Sequence, residues 1–521
     1  MSGPGQWEFG DPIGDGLPYY DHALRLRRMH GSGPLPDGGG PLPDEEQAPR
    51  RRTLDRADIA ELVQMLDRAA DPWPPDRELL SVLDGRLRRL DVSDSRDELA
   101  AGIRRLDHVP ASRLRLLGRW LAGTGTHFGT VGLGLILLGV AGHDDDRDLI
   151  LALGSLGGPC RCAADALAAS QSRPHEALLE MARQTSDWAR VDAIRLLRGA
   201  RLERRDKDWL IRHSCDGGFL DVYFADVVAE SGDLAGTLGP DTVDDDLLSG
   251  AGRVLYALCE LEWPLPGILD YRDAEAAVRH YARHVAARPT TIDRLCELVT
   301  VYAFLCSPRA GQARWSAGGL SRVRDLYRNL LSSPAARAIV TAGLDTADPG
   351  DFIKAAWVAG HTGLPVRDHL LRRLESDPLN HHVWSWLLDG GPAARAAATG
   401  TAEGIAVALA AAERLLPLRR LMTGPSQPAE DADPYEEILD LIVSRLRAHP
   451  GRGWEIIRTA LRNHVQRHRV LAVLALQRWS PELFPPEALD VLESVRAVEP
   501  DVELRENLAA LISRVGPAGH A

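Results

Sequence analysis

Two pairs of histidines in this 521-residue sequence have the spacing of metal ligands on a helix. His280 and His284 lie four residues apart, and so do His464 and His468. On a helix this spacing puts both imidazoles on one face, as zinc enzymes use them. Neither pair has the glutamate of an HExxH motif, and no third ligand is marked by the sequence. We therefore interpret all four as exposed histidines on helix faces.

The other motifs that could do chemistry also lack a defining element. Cys160 and Cys162 are too close for a C-x₂-C zinc hook, and on a helix their thiols diverge, which indicates buried free thiols. The glycines of Gly123–Gly134 follow no strand and precede no Walker lysine, so close helix packing explains them better than phosphate binding. The acidic triplets Asp144–Asp146 and Asp244–Asp246 do not alternate as in an EF-hand, and they are typical of helix starts. The sequence therefore predicts no catalytic residue, no cofactor and no metal site.

A concentration of arginine near the C-terminus is the most function-like feature. The stretch Arg445–Arg469 has seven arginines against one acid, Glu455. Such a stripe could bind an acidic partner or phosphate, although charge runs are usually solvated helix faces. A milder basic stretch, Arg195–Arg212, has seven basic residues against three acidic ones. The candidate partner-binding residues, which we call the basic stripe, are Arg445, Arg447, Arg452, Arg458, Arg462, Arg467 and Arg469.

The composition limits the kinds of protein that could carry these residues. The net charge is −13, which opposes broad nucleic-acid binding. Only Lys207 and Lys354 are lysines, so arginine supplies the remaining basic residues, as in proteins of GC-rich bacterial genomes. Six cysteines in 521 residues form no disulfide framework. The apolar stretch Phe128–Gly142 is too short to cross a bilayer, and no secretory signal is visible, so we predict a cytoplasmic protein without a membrane partner.

Apolar periodicity divides the chain into helical segments and linkers. Residues 1–52 are rich in Gly and Pro and predict a mostly disordered tail, interrupted by one short helix at Tyr19–Met29. From residue 53 onward the apolar residues recur at i, i+3, i+4 and i+7, and no segment alternates like a strand. We predict a helical-repeat array over 53–422, a solvated loop at 423–434, and a second array over 435–516.

The spacing of the helices suggests a repeat. Predicted helices begin near residues 434, 453, 467, 486 and 501, so two consecutive helices occupy about 33 residues. Segments 157–170, 187–200 and 218–233 share a pattern of small and aliphatic residues around one charged residue, at Arg161, Arg190 and Asp221 respectively. This pattern resembles the second helix of HEAT repeats. The resemblance implies an all-α fold, an α-solenoid of antiparallel helix pairs of the HEAT or armadillo kind.

A second resemblance concerns activity. The stretches DWLIRHSCDGGFLDVYFADVVAESGD and PLPGILDYRDAEAAVRHYARH look like bacterial helical-repeat proteins described as limonene hydroxylases. That resemblance implies a monooxygenase acting on a terpene, but no haem-thiolate segment, flavin fold or iron facial triad accompanies it. The leading prediction is a non-catalytic module that binds a protein partner on a solenoid surface. A monooxygenase, and binding of nucleic acid or phosphate through the basic stripe, are the alternatives.

Overall fold

The computed structural model of the chain describes residues 16–45, 51–71, 73–260, 265–288, 290–392, 401–425 and 433–515. Secondary structure in these ranges is almost entirely helical, which confirms the predicted all-α class. One parallel pair of two-residue strands, β1 (Arg52–Thr53) and β2 (Leu90–Asp91), accompanies the helices. The chain forms two compact units, made of residues 1–287 with 304–324 and of residues 288–303 with 325–521.

The first unit packs its helices largely against neighbours in the chain. Short 3₁₀ helices lie between them at Pro36–Gly39, Asp144–Asp146, Phe219–Tyr223 and Pro308–Gln312. Its helices are α1 (Tyr19–His30), α2 (Arg56–Ala70), α3 (Arg77–Leu87), α4 (Arg96–Ile103), α5 (Ala111–Thr124), α6 (Phe128–Ala141), α7 (Arg147–Gly154), α8 (Cys160–Ser170), α9 (Pro174–Arg183), α10 (Asp187–Arg195), α11 (Arg204–His213), α12 (Ala225–Ser231), α13 (Leu234–Thr237), α14 (Asp245–Glu260) and α15 (Ala274–Ala286).

The helices of the second unit also pack largely against their neighbours in the chain, and a 3₁₀ helix lies at Pro481–Leu483. Two helices contribute residues to both units, α16 (Ile292–Cys306) and α17 (Gly319–Leu331). The remaining helices are α18 (Pro334–Leu344), α19 (Pro349–Thr362), α20 (Arg367–Ser376), α21 (His381–Asp389), α22 (Ala402–Leu415), α23 (Leu418–Leu421), α24 (Glu436–Leu446), α25 (Trp454–Leu461), α26 (Gln466–Leu476), α27 (Ala488–Val498) and α28 (Val502–Val515).

The five helices predicted near the C-terminus are confirmed as α24 to α28, each starting within two residues of its predicted position. The predicted loop 423–434 falls inside the range of the second unit, and its residues 426–432 lie outside the described residues. Residues 157–170 and 187–200 contain α8 and α10, as expected. The segment 218–233 differs, because it is broken into the 3₁₀ helix Phe219–Tyr223 and α12.

Helix α6 is the apolar stretch singled out in the sequence, and it is buried as predicted. Every residue from Phe128 to Leu138 is buried, and α5, α4 and α8 pack around the helix. Glycine makes this packing possible, because a Cβ at Gly134 would lie 2.5 Å from the backbone nitrogen of Ala122 on α5. None of the described helices combines the length and the apolar character needed to cross a lipid bilayer.

Residues 16–45 of the predicted tail pack onto the first unit. The helix expected at Tyr19–Met29 is present as α1, with Tyr19 and Ala23 fully buried. Beyond it, the carboxylate of Asp44 is buried, accepts the Tyr19 hydroxyl and receives the backbone N–H of Phe128 at 3.0 Å. A carboxylate at the start of α6 satisfies an unpaired N–H group of that helix. The other tail residues, 1–15 and 46–50, lie outside the described residues.

Candidate functional site

The seven arginines of the basic stripe differ widely in burial. They come from α24, α25, α26 and the turns between these helices, all in the second unit. By exposure they form three groups: exposed (Arg447, Arg452 and Arg467), half-buried (Arg445, Arg458 and Arg462) and buried (Arg469, 2% exposed).

Acidic side chains of the same unit offset part of this charge. Arg467 Nε donates to Asp440 Oδ1 at 2.7 Å, and Arg458 pairs with Glu455 one helical turn away. Arg445 Nε lies 3.7 Å from a carboxylate oxygen of the buried Asp389. The basic stripe is therefore less positive at the surface than its sequence suggests, since most of these acids lie outside residues 445–469.

Arg469 lies in the interior of the second unit. Its guanidinium forms two hydrogen bonds to the carboxylate of Glu499, at 2.7 and 3.0 Å, and both side chains are buried. It also donates to the backbone carbonyls of Asn463 and His464, at 3.0 and 2.7 Å. This arrangement joins α26 to the segment between α27 and α28.

One cavity brings two of the seven arginines together. Arg462 and Arg469 line a cavity of about 260 Å³ with the hydroxyl-bearing residues Thr423 and Ser494, and with Glu499. Because Glu499 already neutralises Arg469, the half-buried Arg462 is the main source of positive charge in this cavity. The other five arginines do not line it, and a partner site on the basic stripe stays a prediction.

His464, just before α26, and His468, on α26, are both buried, so the prediction that they are exposed is wrong. His464 is 9% and His468 is 4% exposed. His464 Nδ1 lies 3.1 Å from Thr423 Oγ1, and His468 Nδ1 lies 3.0 Å from Asn463 Oδ1. Burial lowers the pKa of His468, which favours the neutral imidazole. These rings act as hydrogen-bonded members of the core.

The same prediction is wrong for the other pair, His280 and His284 on α15, because neither side chain is exposed. His284 is 2% exposed, with Nε2 at 2.9 Å from the carbonyl of Leu238, and His280 is half-buried. Within the described ranges, no group of three or more His, Cys, Asp and Glu side chains is placed to hold a metal ion.

The thiols of Cys160 and Cys162 are buried and free, as predicted. Burial raises the pKa of both to about 12. Both are therefore uncharged thiols at neutral pH.

Three of the seven basic residues of the milder stretch are paired with acids. Arg198 contacts Asp226, Lys207 lies 3.3 Å from Asp233, and Arg212 makes two hydrogen bonds to Asp244. Each acid comes from a later segment of the first unit, so the sequence count overestimated the free positive charge here too.

An exposed group of aromatic rings in the first unit was missed by the sequence analysis. Trp188, at the start of α10, is 50% exposed, and Phe219, in the 3₁₀ helix before α12, is 76% exposed. The ring of Tyr223 lies between them, with centroids 4.9 Å from Trp188 and 5.8 Å from Phe219, both edge-on. We call these three residues the aromatic patch.

A repeat interval could have revealed the aromatic patch. Trp188 and Phe219 lie 31 residues apart, the same separation as Arg190 and Asp221, which the sequence analysis did use. Residues at one repeat interval occupy equivalent places on successive helix pairs. Of the charged residues of that pattern, Asp221 is 3% exposed, Arg190 is half-buried and Arg161 is exposed, whereas both aromatic residues face water.

A groove of about 310 Å³ adjoins the aromatic patch, because Trp188 lines both. Asp37 and Gly38, from the N-terminal segment, form one wall of the groove, and Asp187, at the start of α10, lies on the other. A hydrogen bond of 2.8 Å from the Gly157 N–H to the Gly38 carbonyl fixes the first wall. We call this feature the acidic groove.

The buried Asp221, in the same 3₁₀ helix as Phe219 and Tyr223, gives a testable pH dependence. Its carboxylate accepts the Gly217 N–H at 2.7 Å, and burial raises its pKa to about 6. The folded-state pKa lies above the unfolded value, so the stability that this group contributes is complete below pH 4 and lost as the pH rises through 6. Between pH 4 and 7.5, the free energy of unfolding of the wild type should fall by about 2 kcal/mol relative to Asp221→Asn.

Urea denaturation at a series of pH values measures this difference. The exposed Asp490 provides the control, since Asp490→Asn should track the wild type at every pH. A constant offset between Asp221→Asn and the wild type from pH 4 to 7.5 would contradict the expectation.

Comparison with known proteins adds no family assignment, since no protein-family model matches the chain and no curated protein matches it. What the structure defines is the class: an all-α protein whose helices pack in neighbouring pairs. The resemblances to HEAT repeats and to limonene hydroxylases stay predictions.

Proposed function

We propose that the chain is a non-catalytic protein-interaction module of the α-solenoid type, HEAT-like in its helix pairs, and that it binds a partner protein through the first unit. The aromatic patch is the observation that carries this proposal. The successive packing of α8, α9 and α10, and of α24, α25 and α26, supports the repeat architecture.

The aromatic patch has the composition of a binding surface. The core of the same unit accommodates aromatic side chains, since it fully buries Tyr19, Phe224 and Tyr281. Trp188 and Phe219 instead keep half or more of their surface in water. Tryptophan and tyrosine are the residues that most often dominate the binding energy of protein interfaces, because a large ring is buried with little loss of side-chain entropy.

The basic stripe contributes less to the proposal. Arg467, Arg458 and Arg469 have acidic partners within the chain, and only part of their charge is available to a ligand. Pairing inside the protein weakens both steering and affinity for an acidic partner. We therefore place the main interface on the aromatic patch.

Site-specific photo-cross-linking tests the proposed function. A photoreactive phenylalanine at position 219 should form discrete adducts in the producing cells, which identify the partner. Trp188→Ala should then weaken the purified complex by about 10-fold or more, the loss expected for an interface anchor, as measured by calorimetry.

Val82 provides the matched control. It is an apolar residue on α3 of the same unit, is 58% exposed, and does not belong to the aromatic patch. A cross-linker at position 82 should give no discrete adduct, and Val82→Ala should leave the affinity unchanged. Equal adducts from positions 82 and 219, or an unchanged affinity for Trp188→Ala, would count against the proposal.

A further inference from the structure

We propose that the acidic groove beside Trp188 accepts an arginine side chain from an extended segment of the partner, whose neighbouring apolar residues lie on the aromatic patch. This inference rests on the proposed function and names the chemistry of the partner. Two observations on the groove carry it: two carboxylates without a cationic neighbour among the described residues, and an exposed indole.

The first observation is charge. Asp37 and Asp187 are exposed acids that both line the acidic groove. Among the described residues, neither carboxylate has a Lys, Arg or His nitrogen within 4.0 Å. The acids that face the basic stretches differ in this respect, because Asp226, Asp244 and Asp440 each pair with an arginine. A groove with two uncompensated carboxylates favours a cation.

The nearest arginine on the same helix is already engaged. Arg190 directs its guanidinium to the backbone carbonyls of Thr185 and Ser214, at 2.9 and 3.4 Å, and lies 3.9 Å from Asp216. The Asp187 carboxylate accepts the Ser186 hydroxyl at 2.8 Å. Within the described part of the chain, the charge of the acidic groove is therefore available to a ligand.

The second observation is the indole of Trp188. It lines the acidic groove and stays half-exposed, while Tyr223 holds it by an edge-on contact. A guanidinium stacks on an indole face and still donates to carboxylates in its own plane, which a compact ammonium cannot do in the same way. An indole beside two carboxylates therefore favours arginine over lysine.

The backbone at both acids decides which substitution can test this charge. Asp37 has φ of +47° and Asp187 has φ of +51°, in the left-handed region. Asparagine, like aspartate, adopts this conformation more readily than other residues with a side chain.

The experiment uses a defined probe and the full-length protein. The probe is a fluorescein-labelled peptide, acetyl-Gly-Leu-Ser-Arg-Ser-Leu-Gly-amide, compared with versions that carry lysine, citrulline or glutamate in place of arginine. Citrulline keeps the shape of arginine and removes its charge. We expect the arginine peptide to bind about 5- to 10-fold more tightly than the citrulline peptide, by fluorescence anisotropy at low salt.

The matched protein variant is Asp37→Asn together with Asp187→Asn. Asparagine tolerates left-handed φ as aspartate does, so this change removes two charges without adding backbone strain. It should reduce the preference for arginine over citrulline to within about twofold. The control is Asp368→Asn with Asp490→Asn, which removes two exposed acids of the second unit and should keep the preference intact.

Each outcome has one meaning. Equal binding of the arginine and citrulline peptides, preference for the glutamate peptide, or no binding of any peptide at millimolar concentration overturns the inference. So does an unchanged preference in the double variant, and lysine binding as tightly as arginine overturns the stacking on Trp188. If cross-linking from position 219 still identifies a partner in these cases, the result refutes the arginine site and supports the proposed function.

Discussion

Replacing Arg469 with Met lowers the free energy of unfolding of the second unit by about 3 to 5 kcal/mol. The substitution leaves the Glu499 carboxylate buried without a cation and removes donors from the carbonyls of Asn463 and His464. An unpaired buried charge costs more than the pair contributes, because desolvation is no longer offset by attraction. Urea denaturation followed by circular dichroism measures the loss.

Two further variants separate this cause from loss of the arginine alone. Arg467 lies two residues earlier on the same helix and pairs with Asp440, but its side chain is 70% exposed. Arg467→Met should therefore cost less than about 1 kcal/mol. Arg469→Met combined with Glu499→Leu should recover about half or more of the loss, since no buried charge is left. Equal effects of the Arg467 and Arg469 substitutions would show that the buried pair has no special weight.

Replacing Gly134 with Val lowers the stability of the first unit by about 3 kcal/mol. A Cβ at position 134 lies 2.5 Å from the nitrogen of Ala122 and 2.9 Å from the carbonyl oxygen of Gly118, both on α5. These are backbone atoms, so no side-chain rotation relieves the clash, and the two helices must separate. Separation opens voids along the buried face of α6.

Gly85 is the control for this prediction, measured by the same urea denaturation. It lies within α3, is exposed, and has no atom within 4 Å of a Cβ built there. Gly85→Ala should stabilise the protein by up to about 1 kcal/mol, because alanine restricts the unfolded chain and favours the helix. A stability of Gly134→Val within 0.5 kcal/mol of wild type, about the scatter of ordinary surface substitutions, would refute the close approach of α5 and α6.

Local patterns in the sequence were enough to predict the helices. The apolar spacing located α24 to α28 within two residues, and the length of the apolar stretch identified α6 as an internal helix. Both patterns reflect interactions along one helix, which are close in sequence. The break at residues 218–233 was missed, because it lies at Phe224, whose φ of −144° is outside the helical region, and no apolar pattern marks that change.

The basic stripe shows what a local pattern cannot give. Whether an arginine is free depends on acids that are distant in the chain: Glu499 lies 30 residues after Arg469, and Asp440 lies 27 residues before Arg467. A count within residues 445–469 sees only Glu455. His464 was misjudged for a similar reason, since its ring contacts Thr423, which precedes it by 41 residues.

The acidic groove was out of reach of the sequence for a further reason. Its walls come from residues 35–38 and from the start of α10, and the first of these lies in a Gly- and Pro-rich segment that predicts no structure. The aromatic patch was closer to prediction, because its two exposed rings obey the repeat interval.

The burial of α6 on all sides also has a consequence for how the first unit opens. Its backbone amides from Val131 to Leu138 are bonded within the buried part of the helix, so they can exchange with deuterium only when the surrounding helices detach together. Amides of α10 near the aromatic patch need only a local opening. Amide exchange should therefore be slow in α6 and faster in α10 near the aromatic patch. A bound partner would slow exchange near the patch and leave the exchange of α6 unchanged.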